Sequence, residues 1–392
     1  RGAGAAGVPV SVDLVSLAGA DLGALASRHR RVVMGAGLLS RFPALARARV
    51  PLALDLYDPV PLEAAELYRG APSAVRRAVM AEARETLALE LRRADALLCA
   101  SERQADLWRG ALMLAGGGEV PIIRVPFGVA EDRPEAGPEP VMKGRIAGIG
   151  AADRVLLWAG GLHDWLDPEL VVKAAGLASR RLPEVRLVFM GSVPPNSALQ
   201  GHGAAARARE VARREGLLDR VVFFLEGWVP YAERGSYLLE ADIGVSAHHD
   251  TTEARYSWRT RILDYLWSSL PVVCTGGDPL GDLVGARGAG LVTSPGDAEA
   301  MAASIQQLLQ SPEARARCQA AARELAAELR WSAVSEPLAA WIAGPDTIPR
   351  RVGRRVPVAL WWMYGVKAVA ALRRHGVGGV RQRLGRFRDR PS

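Results

Sequence analysis

The amino-acid sequence predicts an α/β protein made of two doubly wound domains, each with a parallel sheet between layers of helices. Its 392 residues are too many for one ordinary hydrophobic core. Short runs that are apolar on both faces alternate with helical segments, as in parallel sheets covered on both sides. A stretch rich in proline, glycine and charge at 131–150 separates two such series, so we expect a linker there.

The first series, residues 1–145, contains five apolar runs of strand length and a helix near 73–93. In chain order, the runs are VPVSVDLVS, RRVVMGAGL, PLALDLYDP, DALLCAS and IIRVPFGV. Because the chain begins at Arg1 in RGAGAAG without a methionine, we expect this domain to lack its first strand.

The second series, residues 150–330, contains six further runs of strand length. They are RVLLWAGG, EVRLVFMG, RVVFFLEGW, ADIGVSAH, LPVVCT and GAGLVTS. Helices are predicted around these runs at 168–181, 204–215, 231–240, 258–268, 297–309 and 312–329. Beyond them we expect 331–344 to form a helix that returns to the first domain, and 345–392 to form a basic amphipathic tail. Two such domains would place a ligand cleft between the carboxyl ends of their strands.

The net charge of +8 is unevenly distributed along the chain. Residues 345–392 contain twelve Lys or Arg and two Asp, or +10, which leaves −2 for the residues before them. A near-neutral body argues against a nucleic-acid enzyme, and a basic tail suits an anionic partner. The three cysteines, Cys99, Cys274 and Cys318, lie far apart, which favours a reducing cytosol over a disulfide framework or a zinc site.

The stretch 251–273, TTEARYSWRTRILDYLWSSLPVV, is the most informative about function. Its helix is predicted to begin after Ser257, whose hydroxyl suits an N-cap. That start sets Arg259 and Arg261 at the positive end of a helix. Two guanidiniums beside free backbone N–H groups suit a diphosphate.

Two carboxylates of the same stretch, Glu253 and Asp264, can accept hydrogen bonds from sugar hydroxyls. An alternative is that Arg261 and Asp264, which are i,i+3 neighbours, form a plain surface ion pair. Spacing alone leaves both interpretations open.

Glycines and tryptophans follow the strands of the second series. Gly160 and Gly161 come directly after a strand, where paired glycines either let a ligand approach the backbone or simply form a tight turn. Gly191 and Trp165 occupy similar strand ends. Trp228, just past a strand, could stack on a nucleobase or pack between layers.

Asp58 in LDLYDP lies at a strand end of the first domain, where a carboxylate could act as a general base on an acceptor hydroxyl. Its alternative role is to form a turn before Pro59. His248 and His249 are neighbours on a strand and point to opposite faces, so we expect one at the cleft and no metal site built on both. The sequence contains no dinucleotide fingerprint, P-loop, HExxH or Ser-His-Asp order.

Together these motifs resemble the family 4 type of retaining glycosyltransferases, which adopt the GT-B fold of two facing Rossmann-like domains. In the second domain the similarity rests on LLWAGGLHDWLDP, EGWVPYAERGSYLLEADIGVS and EARYSWRTRILDYLWSSLPVV. In the first domain it rests on DLYDP, CASERQADLW and VPFGV. It covers roughly residues 50–343, and the second domain is similar to a branch found among bacterial cell-surface polysaccharide enzymes.

The resemblance implies transfer of a sugar, with retention, from a nucleotide-sugar to a hydroxyl of a glycan or lipid-linked glycan. It implies an acceptor-side first domain, a nucleotide-sugar-binding second domain, and no obligatory metal or other cofactor. In the wider family two glutamates eight positions apart contact the sugar and the ribose. Here Glu253 and Asp264 stand eleven apart in those roles. GLHDW replaces the family's Arg and Lys after the first strand of the domain, so the diphosphate contact passes to Arg259 and Arg261.

The expected site therefore combines two catalytic carboxylates with a set of donor-binding residues. The catalytic carboxylates are Glu253 and Asp58. The donor-binding residues are Gly160, Gly161, Trp165, Gly191, Trp228, Arg259, Arg261 and Asp264.

The tail combines VPVALWWMYGVKAVAAL with a series of arginines, and the apolar run is too interrupted to span a membrane. Trp361 and Trp362 suit a membrane interface, and Arg373 and Arg374 suit anionic headgroups. We expect a cytoplasmic protein held at the inner face of the plasma membrane. The alternative is a solvated tail whose tryptophans pack on the first domain.

Two other functions remain open from the sequence. One is a GT-B-shaped subunit that binds nucleotide or glycan without catalysis, and the other is a GT-B nucleotide-sugar epimerase, which needs no lipid-facing tail.

Overall fold

The computed structural model describes residues 21–191, 203–227, 229–345 and 349. Their contacts divide the chain into two units. The first unit holds the described residues up to Val125 and those from Pro337 onward, and the second holds the described residues from Pro126 to Glu336.

The first unit is built on a parallel sheet of four strands in the order β1-β2-β3-β4. The strands are β1 (Val32–Gly35), β2 (Leu52–Asp55), β3 (Ala96–Cys99) and β4 (Ile122–Arg124). The helices are α1 (Leu22–Ala26), α2 (Leu38–Arg41), α3 (Pro43–Arg47), α4 (Val60–Leu67), α5 (Ser73–Arg93) and α6 (Glu102–Ala115). Four predicted runs and the predicted long helix are thus confirmed, whereas VPVSVDLVS lies outside the described residues.

A buried arginine fixes the connection into β2. Arg93, at the end of α5, donates to the carbonyl oxygens of Ala46, Ala48 and Val50 and pairs with Asp95 at 2.8 Å. Asp95 in turn accepts the N–H of Leu52 at 2.8 Å. These bonds satisfy backbone groups that the sheet does not reach, so the start of β2 is firmly placed.

The second unit is built on a parallel sheet of six strands in the order β10-β9-β8-β5-β6-β7. The strands are β5 (Arg154–Ala159), β6 (Val185–Met190), β7 (Val222–Phe224), β8 (Ile243–Ser246), β9 (Val272–Thr275) and β10 (Gly290–Thr293). Every predicted run of this series therefore forms a strand. The strand order reverses between β5 and β8, which is where ligands bind in sheets of this kind.

The helices of the second unit cover both faces of its sheet, as the alternating pattern predicts. They are α7 (Pro168–Ser179), α8 (Ala204–Arg214), α9 (Arg234–Glu240), α10 (Thr252–Tyr256), α11 (Thr260–Trp267), α12 (Pro279–Arg287), α13 (Ala298–Gln310), α14 (Pro312–Glu328) and α15 (Trp331–Val334). The helix predicted at 258–268 is confirmed as α11, and a further short helix that the sequence did not predict, α10, precedes it.

The segment predicted as a linker, 131–150, belongs to the second unit and forms no regular helix or strand. The carboxylate of Glu240, at the end of α9, accepts the backbone N–H groups of Val141, Met142 and Lys143 at 2.7–3.1 Å. The Met142 side chain is fully buried. Backbone donors that water would otherwise satisfy are thus held by one side chain.

After the second unit the chain forms α16 (Glu336–Ala343). Leu338 and Trp341 of this helix pack on Ala53, Ala96 and Leu98 of the first sheet. Arg31 lies over the Trp341 ring at 4.5 Å and donates to the carbonyl oxygen of Gly344 at 3.1 Å. In the described ranges, none of the helices combines the length and the apolar character needed to cross a membrane.

Candidate functional site

Tyr265, on α11, separates two strands at the point where the second sheet reverses. Strands β5 and β8 pair only at Leu156–Ile243 and Leu157–Gly244. Beyond these pairs the Tyr265 hydroxyl accepts the N–H of Ala159 at 2.9 Å. It lies 2.8 Å from the carbonyl oxygen of Leu157 and 2.9 Å from that of Val245, and its single proton can go to either. The strands therefore diverge here without leaving unpaired backbone groups, which opens the carboxyl edge of the sheet.

Sequence reasoning did not identify Tyr265. Its ring lies so close to Gly244 that a Cβ at that position would overlap it. A glycine inside a buried strand is a known sign that another group approaches the backbone closely. The Gly244 of ADIGVSAH therefore signalled that some group approaches the strand. The sequence did not show that this group is Tyr265.

Arg261 braces the turn after β5, which we call the glycine turn (Gly160–Gly161). Its Nε donates to the carbonyl oxygen of Ala159 at 2.7 Å and its Nη2 to that of Gly161 at 2.6 Å. Its guanidinium lies 4.1 Å from the centre of the Trp158 ring. Gly160 adopts φ +106°, which a side chain would strain. Burial lowers the pKa of Arg261 to about 10, with Tyr265 opposing the shift and Arg259 adding to it.

Glu253 and Arg259 form a buried ion pair that we call the Glu253 clasp (Glu253, Ser257 and Arg259). The two guanidinium nitrogens of Arg259 donate to the two carboxylate oxygens of Glu253 at 3.0 and 2.8 Å. The Ser257 hydroxyl donates to the same carboxylate. The side chains of Glu253 and Arg259 are 1% and 7% exposed. The carboxylate expected to contact the sugar and one arginine expected to hold the diphosphate thus bind each other.

The clasp also corrects the prediction that Ser257 is an N-cap. Thr251 caps α10 by accepting the N–H of Ala254, and Ser257 follows the end of that helix. Arg259 occupies the cap position of α11 without a side-chain hydrogen bond to the helix. Ser257 stands two residues before this cap position and donates its hydroxyl proton to Glu253. Both arginines nevertheless stand at the start of a helix, as predicted.

Asp264 pairs with an arginine that sequence reasoning missed. Nε of Arg234, on α9, lies 3.2 Å from Asp264 Oδ1, and Arg261 makes no ion pair with Asp264 in the described part of the chain. The Arg234 guanidinium also lies 3.4 Å from the Tyr231 ring centre and 4.6 Å from that of Trp267. Burial raises the pKa of Asp264, and Arg234 opposes the shift. The alternative of an Arg261–Asp264 ion pair is therefore wrong.

The two adjacent histidines have different environments. His248 is buried, with Nδ1 3.0 Å from the carbonyl oxygen of His249 and Nε2 3.2 Å from Asp278 Oδ2. Its backbone N–H donates to the Thr275 hydroxyl. These contacts tie the loop after β8 to the end of β9. His249 is half-exposed and lies 3.4 Å from Asp167, which caps α7 as its place before a proline predicts.

Those of the remaining predicted donor residues that the structure describes lie at the carboxyl edge of the same sheet. Trp165 stacks on His163 with ring centres 4.6 Å apart and planes 8° apart. Gly191 directly follows β6 and adopts φ +82°. Trp228 lies outside the described residues, as do the predicted membrane contacts Trp361, Trp362, Arg373 and Arg374. No group of three or more His, Cys, Asp or Glu in the described ranges is placed to hold a metal ion.

Asp58 belongs to the first unit. It is exposed, follows β2, and lines a cavity of about 260 Å³ that α4 and α5 border. Its backbone carbonyl accepts the N–H of Val60 at 2.8 Å, so the residue also forms the turn into α4.

The sequence of the second unit matches a known family. Residues 145–325 match the family described as Glycosyl transferases group 1. The D-inositol 3-phosphate glycosyltransferase of Thermobispora bispora is 27% identical over 214 residues, which are 55% of this chain and 48% of that protein. The chain thus spans about half the length of this curated relative.

Solved structures share the fold across both units. The Anabaena protein HepE, in complex with UDP-glucose, has a TM-score of 0.61 at 18% identity and covers 82% of this chain and 80% of its own. Sucrose-phosphate synthase from Thermosynechococcus elongatus has a TM-score of 0.59 at 18% identity, and the match covers 80% of this chain and 72% of the synthase. The α,α-trehalose 6-phosphate synthase from Burkholderia multivorans has a TM-score of 0.59 at 17% identity, with 86% and 75% covered. Residues 145–325 of the second unit are therefore similar to the group 1 glycosyl transferases, and the chain has the GT-B fold.

Proposed function

We propose that the chain is a glycosyltransferase of the hexosyltransferase type. It transfers a sugar, with retention and without a metal ion, from a nucleotide-sugar to a hydroxyl group. The acceptor is a glycan or lipid-linked glycan in bacterial cell-surface polysaccharide biosynthesis. One observation carries the proposal: in a unit similar to the group 1 glycosyl transferases, Arg261 contacts the glycine turn while Arg259 pairs with Glu253 at the adjoining helix start. The complex of HepE with UDP-glucose supports a nucleotide-sugar as donor.

In this proposal the donor opens the Glu253 clasp. A diphosphate is an anion that competes with Glu253 for Arg259, whose buried Nε has no hydrogen-bond partner among the described residues. Once Arg259 turns to the diphosphate, the Glu253 carboxylate is free to accept hydrogen bonds from the sugar. Asp264 accepts hydrogen bonds from the hydroxyls of the ribose. Arg259 and Arg261 neutralise the charge that develops on the leaving diphosphate. Asp58 accepts the proton of the acceptor hydroxyl.

We further propose that the protein works in the cytoplasm at the inner face of the plasma membrane. The charge of the tail supports this place, because residues 345–392 carry +10 while the rest of the chain carries −2. A lipid-linked acceptor would be presented at the same surface.

A panel of UDP-, GDP- and dTDP-sugars tests the donor, first by thermal stabilisation of the protein and then by release of the nucleotide. Glu253→Gln should reduce transfer by about 10²-fold or more while donor stabilisation persists, because the amide keeps the shape and loses the charge. Asp250→Asn is the matched control, since it makes the same change from carboxylate to amide three residues earlier, at a side chain that is 71% exposed. A Glu253→Gln protein that transfers sugar at the rate of the control would contradict the role of Glu253.

The burial of Glu253 favours one alternative, a subunit that binds nucleotide or glycan without catalysis. Both carboxylate oxygens are engaged within the protein, as in a structural ion pair. Donor stabilisation without nucleotide release, with or without glycan acceptors, would identify this alternative.

A further inference from the structure

A largely apolar cavity lies within the first unit, at the carboxyl ends of β1 and β2. Its volume is about 260 Å³, and it lies between α4 and α5. Aliphatic side chains form most of its wall, among them Leu56, Val60, Ala64, Val79 and Leu87. We call it the first-unit cavity.

Two buried polar side chains also line the first-unit cavity. Trp108 is 2% exposed, and none of the described residues accepts a hydrogen bond from its buried Nε1. Glu90 is 1% exposed and uses Oε1 to accept the N–H groups of Gly37 and Leu39 at 2.7 and 3.4 Å. A buried N–H without an acceptor is destabilising, so a ligand oxygen at this place would be favoured.

The charges around the cavity restrict the ligand further. The charged side chains that line it are Asp58, Glu82 and Glu90, and no Lys or Arg of the described residues joins them. A phosphate would therefore be desolvated beside carboxylates without a cation to pair with. Burial raises the pKa of Glu90 to about 7, with the N–H groups of Gly37 and Leu39 opposing the shift, so Glu90 can donate or accept near neutral pH.

We propose that the first-unit cavity binds an uncharged, largely apolar group that carries a hydroxyl, with Trp108 Nε1 donating to its oxygen. The binding of this group is independent of the proposed function. Its assignment as part of the acceptor rests on the proposed function. An apolar cavity of roughly 150 Å³ holds benzene, so this one holds a six-membered ring with substituents. A phosphorylated polyol such as D-inositol 3-phosphate does not fit this chemistry.

Binding is measured on the full chain without donor, from the indole N–H resonances in ¹H–¹⁵N spectra, with Trp108→Phe identifying the Trp108 signal. Cyclohexanol should shift that signal and saturate, whereas D-inositol 3-phosphate should leave it unchanged. Cyclohexylamine, a cation of the same size, sets the attraction of the three lining carboxylates against the hydrogen bond from Trp108, which an ammonium cannot accept, and it should bind more weakly than cyclohexanol. Tighter binding of either charged probe, or no binding of cyclohexanol, would overturn the proposal.

Two variants test whether the ligand binds in the first-unit cavity and whether Trp108 donates a hydrogen bond to it. Ala83→Leu fills the cavity from α5 and should weaken cyclohexanol binding at least tenfold, while Ala74→Leu, at an exposed position on the same helix, should not. Trp108→Phe should bind cyclohexanol about tenfold more weakly than the unchanged protein, as measured by calorimetry. Equal affinity of the two proteins would overturn the assigned hydrogen bond. The nucleotide-sugar panel is read separately. Cyclohexanol binding without any donor binding would leave the cavity assignment standing and the proposed transferase refuted.

Discussion

Individual buried charged side chains determine the contacts within the candidate site and the first-unit cavity. The Glu253 clasp holds a carboxylate and a guanidinium away from water, and neither is stable there without its partner. Glu90 is buried with no cationic partner among the described residues, and it accepts from two backbone N–H groups. Arg261 satisfies two carbonyl oxygens at the glycine turn. The sequence shows each of these residue types, but their partners lie 6 to 102 positions away in the chain.

Glu90 predicts a pH dependence of stability. Because its pKa is raised from 4.5 to about 7 in the folded protein, the folded state binds a proton that the unfolded state releases between these values. The free energy of unfolding should therefore fall as the pH rises from about 4.5 to about 7, by roughly 3 kcal/mol.

Chemical denaturation at pH 5, 6, 7 and 8 measures this effect. Glu90→Gln should flatten the profile, whereas Glu119→Gln, at an exposed position of the same unit, should keep it. Identical profiles for the protein and its Glu90→Gln variant would show that Glu90 keeps its ordinary pKa.

At the scale of elements, α11 determines the geometry of the candidate site. Tyr265 enters between β5 and β8 from this helix, and Arg261 reaches from its first turn to the glycine turn. Asp264 extends from the same helix to Arg234 on α9. One short helix therefore fixes two strands, a turn and a neighbouring helix, because each contact satisfies a polar group that would otherwise be buried unpaired.

Arg261→Ala should therefore affect folding as well as donor binding. Loss of the guanidinium removes two short hydrogen bonds, to the carbonyl oxygens of Ala159 and Gly161, and leaves only the long bond from Trp158 Nε1 to Gly161 at 3.5 Å, at a cost of about 2–4 kcal/mol. A fall in Tm measures this cost, and Arg255→Ala, at an exposed arginine on the adjoining α10, is the control. An unchanged Tm together with lost donor binding would show that Arg261 acts on the ligand alone.

At the scale of the whole molecule, charge is divided between the body and the tail. The residues before 345 are near neutral and include the described strands, helices and candidate site, whereas residues 345–392 carry +10. This separation allows an anionic surface to attract the tail without a basic patch at the site.

The tail predicts salt-dependent binding to anionic vesicles. The full chain should cosediment with vesicles that contain phosphatidylglycerol, less so at high salt, and not with phosphatidylcholine vesicles. Replacing Arg373 and Arg374 by Gln should weaken binding by up to about 30-fold, at up to about 1 kcal/mol for each arginine. Replacing the exposed Arg76 and Arg77 on α5 is the control, and an equal loss there would contradict a specific role of the tail.

The sequence by itself determined the alternating α/β architecture, ten of the strands, and the places where polar residues follow them. It could do so because local hydrophobic periodicity and turn residues report directly on strands and helices. It also indicated that Arg259 and Arg261 stand at a helix start. The tertiary structure decided that Glu253 binds Arg259, that Asp264 binds Arg234 rather than Arg261, and that Tyr265 opens the sheet. Those pairings depend on side-chain directions across separate elements and on the need to satisfy buried charges, and neither can be obtained from spacing along the chain.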